Sequence, residues 1–110
     1  MMNKAITKDN FKQQVLEGKG LSLVNFYADW NGASQMMMPV YGQLANTYSS
    51  MVNFYSVDID NDPSLKEEYG IMELPTVLFF KNGTVVDYVT GMISKNAFIA
   101  KLENTLTSKK

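Results

Sequence analysis

The chain of 110 residues contains no cysteine and no histidine. Without cysteine it can form no disulfide, no thiolate nucleophile and no thiolate-bound metal site. Without histidine it lacks the side chain that titrates near neutral pH and the usual partner of a nucleophilic serine. A zinc site would have to be built from carboxylates alone, which suit that metal poorly. These absences exclude most enzyme chemistries of small proteins, and we expect no metal site and no cofactor.

Strong charge of one sign and long apolar runs are also missing. Ten Lys and Arg residues against eleven Asp and Glu residues leave a net charge of −1, which argues against nucleic acid or an anionic membrane as a partner. No segment approaches the roughly 20 apolar residues of a membrane span, and the first residues contain no run of signal-peptide length. We therefore expect a cytoplasmic protein, with a leader removed before residue 1 as the alternative. The length predicts one domain over residues 1–110, and we expect a monomer.

The hydrophobic pattern predicts alternating helices and strands without a linker or repeat. Asn82-Gly83 is the strongest short hairpin signal in the chain, because both central residues of that turn need positive φ. Crossover helices serve parallel strands and a hairpin adds antiparallel ones, so the predicted fold class is α/β with a mixed sheet. The predicted elements are a helix after Thr7 that ends at Gly18, a strand over 21–27, a helix over 33–49, a strand over 52–59, a helix over 63–69, strands over 76–81 and 84–89, and a helix from Ser94 to Leu106.

Several short segments, in their order and spacing, resemble the thioredoxin family across essentially the whole chain. They are Phe26-Tyr27-Ala28-Asp29-Trp30, Asn31-Gly32-Ala33-Ser34, Pro39, Asp60-Asn61-Asp62-Pro63, Leu74-Pro75-Thr76, Lys81-Asn82-Gly83 and Gly91. The resemblance implies the thioredoxin fold, which is a three-layer α/β/α arrangement. Its central mixed sheet is completed by a C-terminal antiparallel hairpin and a last helix.

The chain departs from the family's Trp-Cys-Gly-Pro-Cys motif at both cysteines. Asn31 stands where the attacking thiolate would be, Ser34 stands where the resolving thiol would be, and Ala33 replaces the proline. Asn25 occupies the position of the family's buried aspartate, and Ser56 that of the lysine which accompanies it. Neither Asn nor Ser can form a mixed disulfide. The degenerate positions Asn31, Ser34 and Asn25 therefore predict a redox-inactive protein that is not an enzyme and has no catalytic residue.

Three weaker signals favour structural interpretations over functional ones. Ser34 has no histidine to act as a base, so we interpret it as a polar residue at a helix start, with Asn31 as the N-cap. Residues 36–38 are all methionine and cannot share one helix face, which indicates core filling plus one exposed side chain, or alternatively a contact patch. Asp58 and Asp62 lie in a segment that resembles part of a calcium loop, but this segment lacks the glycine and the glutamate that such a loop needs. We therefore interpret the two residues as a strand end and a helix cap.

The resemblance also implies a binding surface for an extended peptide or protein partner, which we call the groove. Leu74–Pro75 would form a cis peptide that exposes the preceding backbone for strand addition. Gly32 and Gly91 would leave room for the partner's backbone, and Trp30 would offer apolar contact. By match to family positions, the groove consists of Trp30, Gly32, Ala33, Leu74, Pro75, Gly91 and Met92.

Three acidic residues, Asp29, Asp60 and Glu73, lie near the groove in sequence and should bias it against acidic partners. The favoured hypothesis is a thioredoxin-like protein that keeps the groove without disulfide exchange. Two alternatives stay open. One is a non-catalytic partner or competitor of active thioredoxins in cell redox homeostasis, and the other is an engineered cysteine-free thioredoxin variant.

Overall fold

The computed structural model describes residues 3–107. Residues 108–110, which we expect from sequence to be a solvated tail, lie outside this part of the chain. No helix in the described part is long and apolar enough to cross a bilayer. The elements are β1 (Asn3–Ala5), α1 (Lys8–Phe11, continued by the π-helical Lys12–Leu16), β2 (Leu21–Tyr27), α2 (Gly32–Thr47), β3 (Val52–Asp58), α3 (Pro63–Glu68), β4 (Thr76–Lys81), β5 (Thr84–Thr90) and α4 (Lys95–Thr107).

The five strands form one mixed sheet in the order β1-β3-β2-β4-β5, which confirms the predicted architecture. Strands β1 and β2 both run parallel to β3, whereas β4 runs antiparallel to β2 and to β5. The hairpin turn lies where Asn82-Gly83 predicts it, with φ of 53° at Asn82 and 84° at Gly83. Crossover helices thus supply the parallel pairs, and the tight turn supplies the antiparallel edge.

Helices cover both faces of the sheet and divide the core into two clusters, which makes the molecule three layers thick. Leu23 of β2 packs with α2 and α4, whereas its neighbour Val24 packs with α1 and α3. Because successive side chains of a strand point to opposite faces, a strand covered on both sides must be apolar at nearly every position. Leu21–Tyr27 meets this requirement, since its first six residues are buried.

The first strand is an element that the sequence pattern did not predict. Asn3–Ala5 pairs in parallel with β3 at the edge of the sheet. The Ser56 hydroxyl donates to Oδ1 of Asn3 at 2.7 Å, and the Ile6 N–H donates to the Ser56 carbonyl at 2.9 Å. Three largely exposed residues carry no hydrophobic periodicity, so only the pairing with β3 makes this segment a strand.

Asp62 links the start of α3 to the start of α1. It occupies the predicted N-cap position, but its carboxylate accepts from the Lys8 backbone N–H at 2.5 Å and from the Ser64 hydroxyl at 2.7 Å. Burial opposes ionisation of this carboxyl group, yet the hydrogen bonds from Ser64 and Lys8 outweigh it and hold the pKa below its ordinary value. The charged form therefore stabilises the fold.

Asp62→Asn should lower the free energy of unfolding by about 1–2 kcal/mol at pH 7, because it removes a charged acceptor. The lowered pKa means that the stabilisation is present above the unfolded-state pKa of about 3.9 and is lost as the pH falls through the folded-state value. Urea unfolding at several pH values measures this, and the difference from wild type should shrink in acid. The exposed Glu67→Gln is the control, and a pH-independent loss in Asp62→Asn would contradict the assignment.

Candidate functional site

The groove residues meet at the carboxyl end of β2. In the sheet register Tyr27 lies beside Asp58 and Phe26 beside Thr76, which in turn lies beside Thr90. Three segments therefore lie at the same end of the sheet: the one after β2, the one before β4 and the one after β5. A hydrogen bond of 2.7 Å from the Gly91 N–H to the Pro75 carbonyl joins two of them directly.

The start of α2 is closed by Asn31 and Ser34, the two residues that the resemblance assigns to the cysteine positions. Asn31 has extended backbone angles, and its side-chain oxygen accepts from the Ser34 N–H at 2.7 Å, which confirms the predicted N-cap. Ser34 is buried, and its hydroxyl accepts from the Ala28 N–H at 3.4 Å. Both side chains are thus used to satisfy backbone donors at the point where the strand passes into the helix.

Asn25 lies fully buried near α2 and is only partly satisfied. Its amide donates to the sulfur of Met38 at 3.8 Å, a long contact to a weak acceptor. Its carbonyl oxygen Oδ1 is buried without a hydrogen-bond partner among residues 3–107. A carboxylate at this position would find the same missing donor and would carry a charge as well, so the neutral amide suits the site.

The three consecutive methionines at the start of α2 divide between core and surface. Met37 is buried in the core between α2 and the sheet, Met38 is half-buried, and Met36 is exposed. Steps of about 100° along a helix force this division. The interpretation as core filling plus one exposed side chain is therefore confirmed.

Trp30 and Gly32 form an open part of the groove. The indole is 67% exposed, as predicted, and its Nε1 donates to Oδ2 of Asp60 at 2.9 Å. A Cβ on Gly32 would meet no other described heavy atom within 4 Å, so a partner's backbone has room there. Ala33 is half-buried next to it. The hydrogen bond to Asp60 holds the exposed ring in one orientation.

The opposite part of the groove is formed by the segments before β4 and after β5. The Leu74–Pro75 peptide bond is cis, Pro75 is buried, and Leu74 is half-buried. Met92 is 49% exposed. Gly91 has φ of 68°, a left-handed conformation that favours glycine.

The position of Glu73 contradicts the expectation that Gly91 leaves room for a partner's backbone. A Cβ built on Gly91 would lie 2.6 Å from Oε2 of Glu73, so the space expected for a partner's backbone holds this carboxylate instead. Glu73 is exposed and flexible enough to move aside. The sequence indicated Glu73 only as a nearby charge, because nothing in the pattern shows that its side chain reaches the segment after β5.

The part of the chain that carries Trp30, Gly32 and Ala33 contains acidic residues but no basic ones. Residues 20–65 contain no Lys or Arg. Burial raises the pKa of the Tyr27 hydroxyl, and the carboxylates of Asp58 and Asp29 raise it further. Among residues 3–107 no cluster of carboxylates has the composition of a metal site. The carboxylates of Asp58 and Asp29 thus act on Tyr27 through their charge.

Replacing Asn31 tests the cap on which the site is built. Asn31→Ala should lower the free energy of unfolding by about 0.5–2 kcal/mol, because the Ser34 N–H loses its acceptor. Asn31→Ser is the matched control, since serine supplies an oxygen at the same position of the helix and should cost little. Urea denaturation followed by circular dichroism measures both. Equal losses in the two variants would show that the cap contributes nothing.

Asn25→Asp tests the burial of this position. The introduced carboxyl would have a raised pKa in the folded state, so the variant should lose stability as the pH rises above the unfolded-state value of about 3.9. The loss should approach about 1.4 kcal/mol per pH unit until the folded-state pKa is reached. Asn25→Leu, of similar size and without charge, should differ from wild type by a constant amount. Parallel pH profiles for the two variants would contradict the prediction.

Comparison with known proteins agrees with this geometry. The family model described as thioredoxin matches residues 2–104. Thioredoxin 1 of Synechococcus elongatus is 39% identical over 102 residues, which span 93% of this chain and 95% of that protein. Thioredoxin 1 of Nostoc sp. is 36% identical over 101 residues, which span 92% and 94%.

A solved structure shows the same relationship in three dimensions. The thioredoxin of Malassezia sympodialis (Mala s 13) is 33% identical and superposes with a TM-score of 0.85, covering 94% of this chain and 90% of that one. The fold, the matching family model and the similar proteins indicate the same family along nearly the whole sequence. The chain therefore belongs to the thioredoxin family, and it contains none of the cysteines on which disulfide exchange depends.

Proposed function

We propose that this protein is a redox-inactive member of the thioredoxin family that binds extended segments of partner proteins in the groove. The observation that supports this most is the use of Asn31 and Ser34 as structural residues. Asn31 caps α2 and the Ser34 hydroxyl accepts from a strand-end amide, so the scaffold of the site is intact without sulfur. The groove residues still converge at one end of the sheet, where β2 ends and β4 begins.

Disulfide exchange needs a thiolate that attacks one sulfur of the substrate and a second thiol that resolves the mixed disulfide. A serine hydroxyl stays protonated at neutral pH, and an asparagine has no nucleophilic atom. The buried Asn25 cannot accept a proton either, whereas a carboxylate there could. Three positions of one mechanism have therefore lost their chemistry together, which favours a non-enzymatic role.

The backbone before Pro75 supports binding by strand addition. Among residues 3–107, no hydrogen bond is made by the backbone N–H or C=O of Leu74. An extended segment could pair with these groups, as strands added to a sheet edge do. Apolar contact would come from Trp30 and Met92, which are exposed on either side. Backbone pairing would give affinity with little sequence preference, and the apolar contacts would add selectivity.

The same geometry allows a role beside active thioredoxins. A chain that shares their groove and lacks their chemistry would compete with them for partners without turning over. The expected cytoplasmic location and monomeric state remain predictions of the sequence.

An insulin reduction assay with dithiothreitol tests the absence of exchange chemistry. The wild-type chain should give no turnover above the protein-free control, because it has no thiol. The double variant Asn31→Cys with Ser34→Cys is the matched comparison and should gain measurable turnover. Activity of the wild-type chain that survives purification to homogeneity would overturn the redox-inactive assignment.

Trp30→Ala tests the groove. Affinity capture followed by mass spectrometry should lose the proteins that bind there, with about tenfold weaker affinity for each confirmed ligand, since a buried aromatic contact contributes about 1–3 kcal/mol. Met51→Ala is the control, because Met51 is also exposed and apolar but lies before β3, at the opposite end of the sheet. A captured set that Trp30→Ala leaves unchanged would show that binding does not use the groove.

A further inference from the structure

Glu73 lies between the groove and a second depression that the sequence did not indicate. This depression has a volume of about 380 Å³ and lies between the loop after α3 and the edge strand β5. We call it the side pocket. Its walls include Tyr69, Met72, Glu73, Leu78, Tyr88 and Thr90.

The side pocket lies where the loop after α3 meets the exposed edge of the sheet. β5 is the edge strand, and Tyr88 on it is 59% exposed. Met72 in the loop after α3 is 95% exposed, whereas Leu78 on β4 is buried and forms part of the floor. The result is an apolar surface with two tyrosine rings at its sides.

The carboxylate of Glu73 is the charged group of this surface. The Thr76 hydroxyl donates to the Glu73 carbonyl at 2.6 Å and so positions the backbone of the loop. The side chain extends toward Gly91, where the groove and the side pocket meet. Among residues 3–107, Glu73 makes no ion pair, and no basic residue lines the pocket. A partner could therefore supply its counter-charge.

We propose that the side pocket is an arginine-binding subsite of the groove, which takes one arginine of the extended segment bound there. This proposal rests on the proposed function and adds to it the chemistry of the partner. The aliphatic part of the arginine would lie against Leu78 and Met72. Its guanidinium group would pair with the Glu73 carboxylate through two parallel hydrogen bonds and stack on the Tyr88 ring.

Charge and shape together favour arginine over other side chains. Glu73 is the charged residue that lines the pocket, so an acidic side chain would be repelled there. A lysine would provide the charge, but its ammonium group is strongly hydrated and cannot pair with both carboxylate oxygens in a fixed plane. A neutral side chain would leave the carboxylate of Glu73 unpaired beside an apolar surface.

The test uses a short capped peptide of alternating valine and threonine with one central arginine, together with its lysine, citrulline and glutamate counterparts. Citrulline has nearly the shape of arginine without the charge. Binding to the full chain is measured by fluorescence anisotropy, and the site is mapped from amide shifts in NMR spectra. The arginine peptide should bind about tenfold more tightly than the citrulline peptide, the order expected for one charge-assisted pair, and should shift residues of the side pocket.

The variants separate the subsite from the rest of the groove. Glu73→Gln should abolish the preference for arginine over citrulline, and Tyr88→Leu should reduce the preference for arginine over lysine. Glu67→Gln removes an exposed carboxylate from α3 that does not line the pocket, so it should leave both preferences unchanged. Circular dichroism is the control for the folding of each variant.

Each outcome decides the proposal. The proposal of an arginine subsite is wrong if the arginine and citrulline peptides bind equally well to wild type, or if Glu73→Gln keeps the preference for arginine. In that case, loss of binding in Trp30→Ala would still support the groove. If Glu73→Gln removes the preference while Trp30→Ala has no effect on affinity, the subsite stands and the groove as proposed does not. Absence of any binding of the arginine peptide at millimolar concentration overturns the subsite.

Discussion

The central strand β2 is buried on both faces, and this burial sets where the other elements can pack. The strand lies at the centre of the sheet between β3 and β4, and both clusters of the core pack against it. The segment after it leads directly into Trp30 and α2, and the register places Pro75 and Gly91 at the same end. The groove is assembled from three separate segments, of which one follows β2, one precedes its neighbour β4, and the third follows β5, which is joined to β2 through β4.

Neutral polar groups occupy the centre of the site. Asn31 accepts a backbone hydrogen bond, Ser34 does the same one turn later, and Asn25 occupies a buried position where a charge would have no counterpart. In a low-dielectric site, an unpaired carboxylate or thiolate lowers stability, and an enzyme tolerates that cost for the sake of its chemistry. Neutral side chains at these positions avoid the cost. The charges that remain, on Asp60 and Glu73, lie at the rim, where water and partners can reach them.

Much of the fold could be predicted because its signals are local. Thr7 caps α1, Asn82-Gly83 forms the hairpin turn, and the apolar run over 21–27 is a strand. The edge strand β1 could not be predicted, because three largely exposed residues become a strand only through their pairing with β3. In the same way, the resemblance to the family located the groove, but the contact between Glu73 and Gly91 depends on side-chain reach between two loops.

Composition alone shows what this protein lacks, and local sequence patterns locate its helices and every strand except β1. A missing thiol is a property of composition, and hydrophobic periodicity and turn residues act over a few neighbouring positions. Two features emerge from tertiary packing instead: a carboxylate occupies the space at Gly91, and a pocket opens beside β5. These features depend on distances between residues that are remote in the chain, and such distances are set by the packing of the whole sheet.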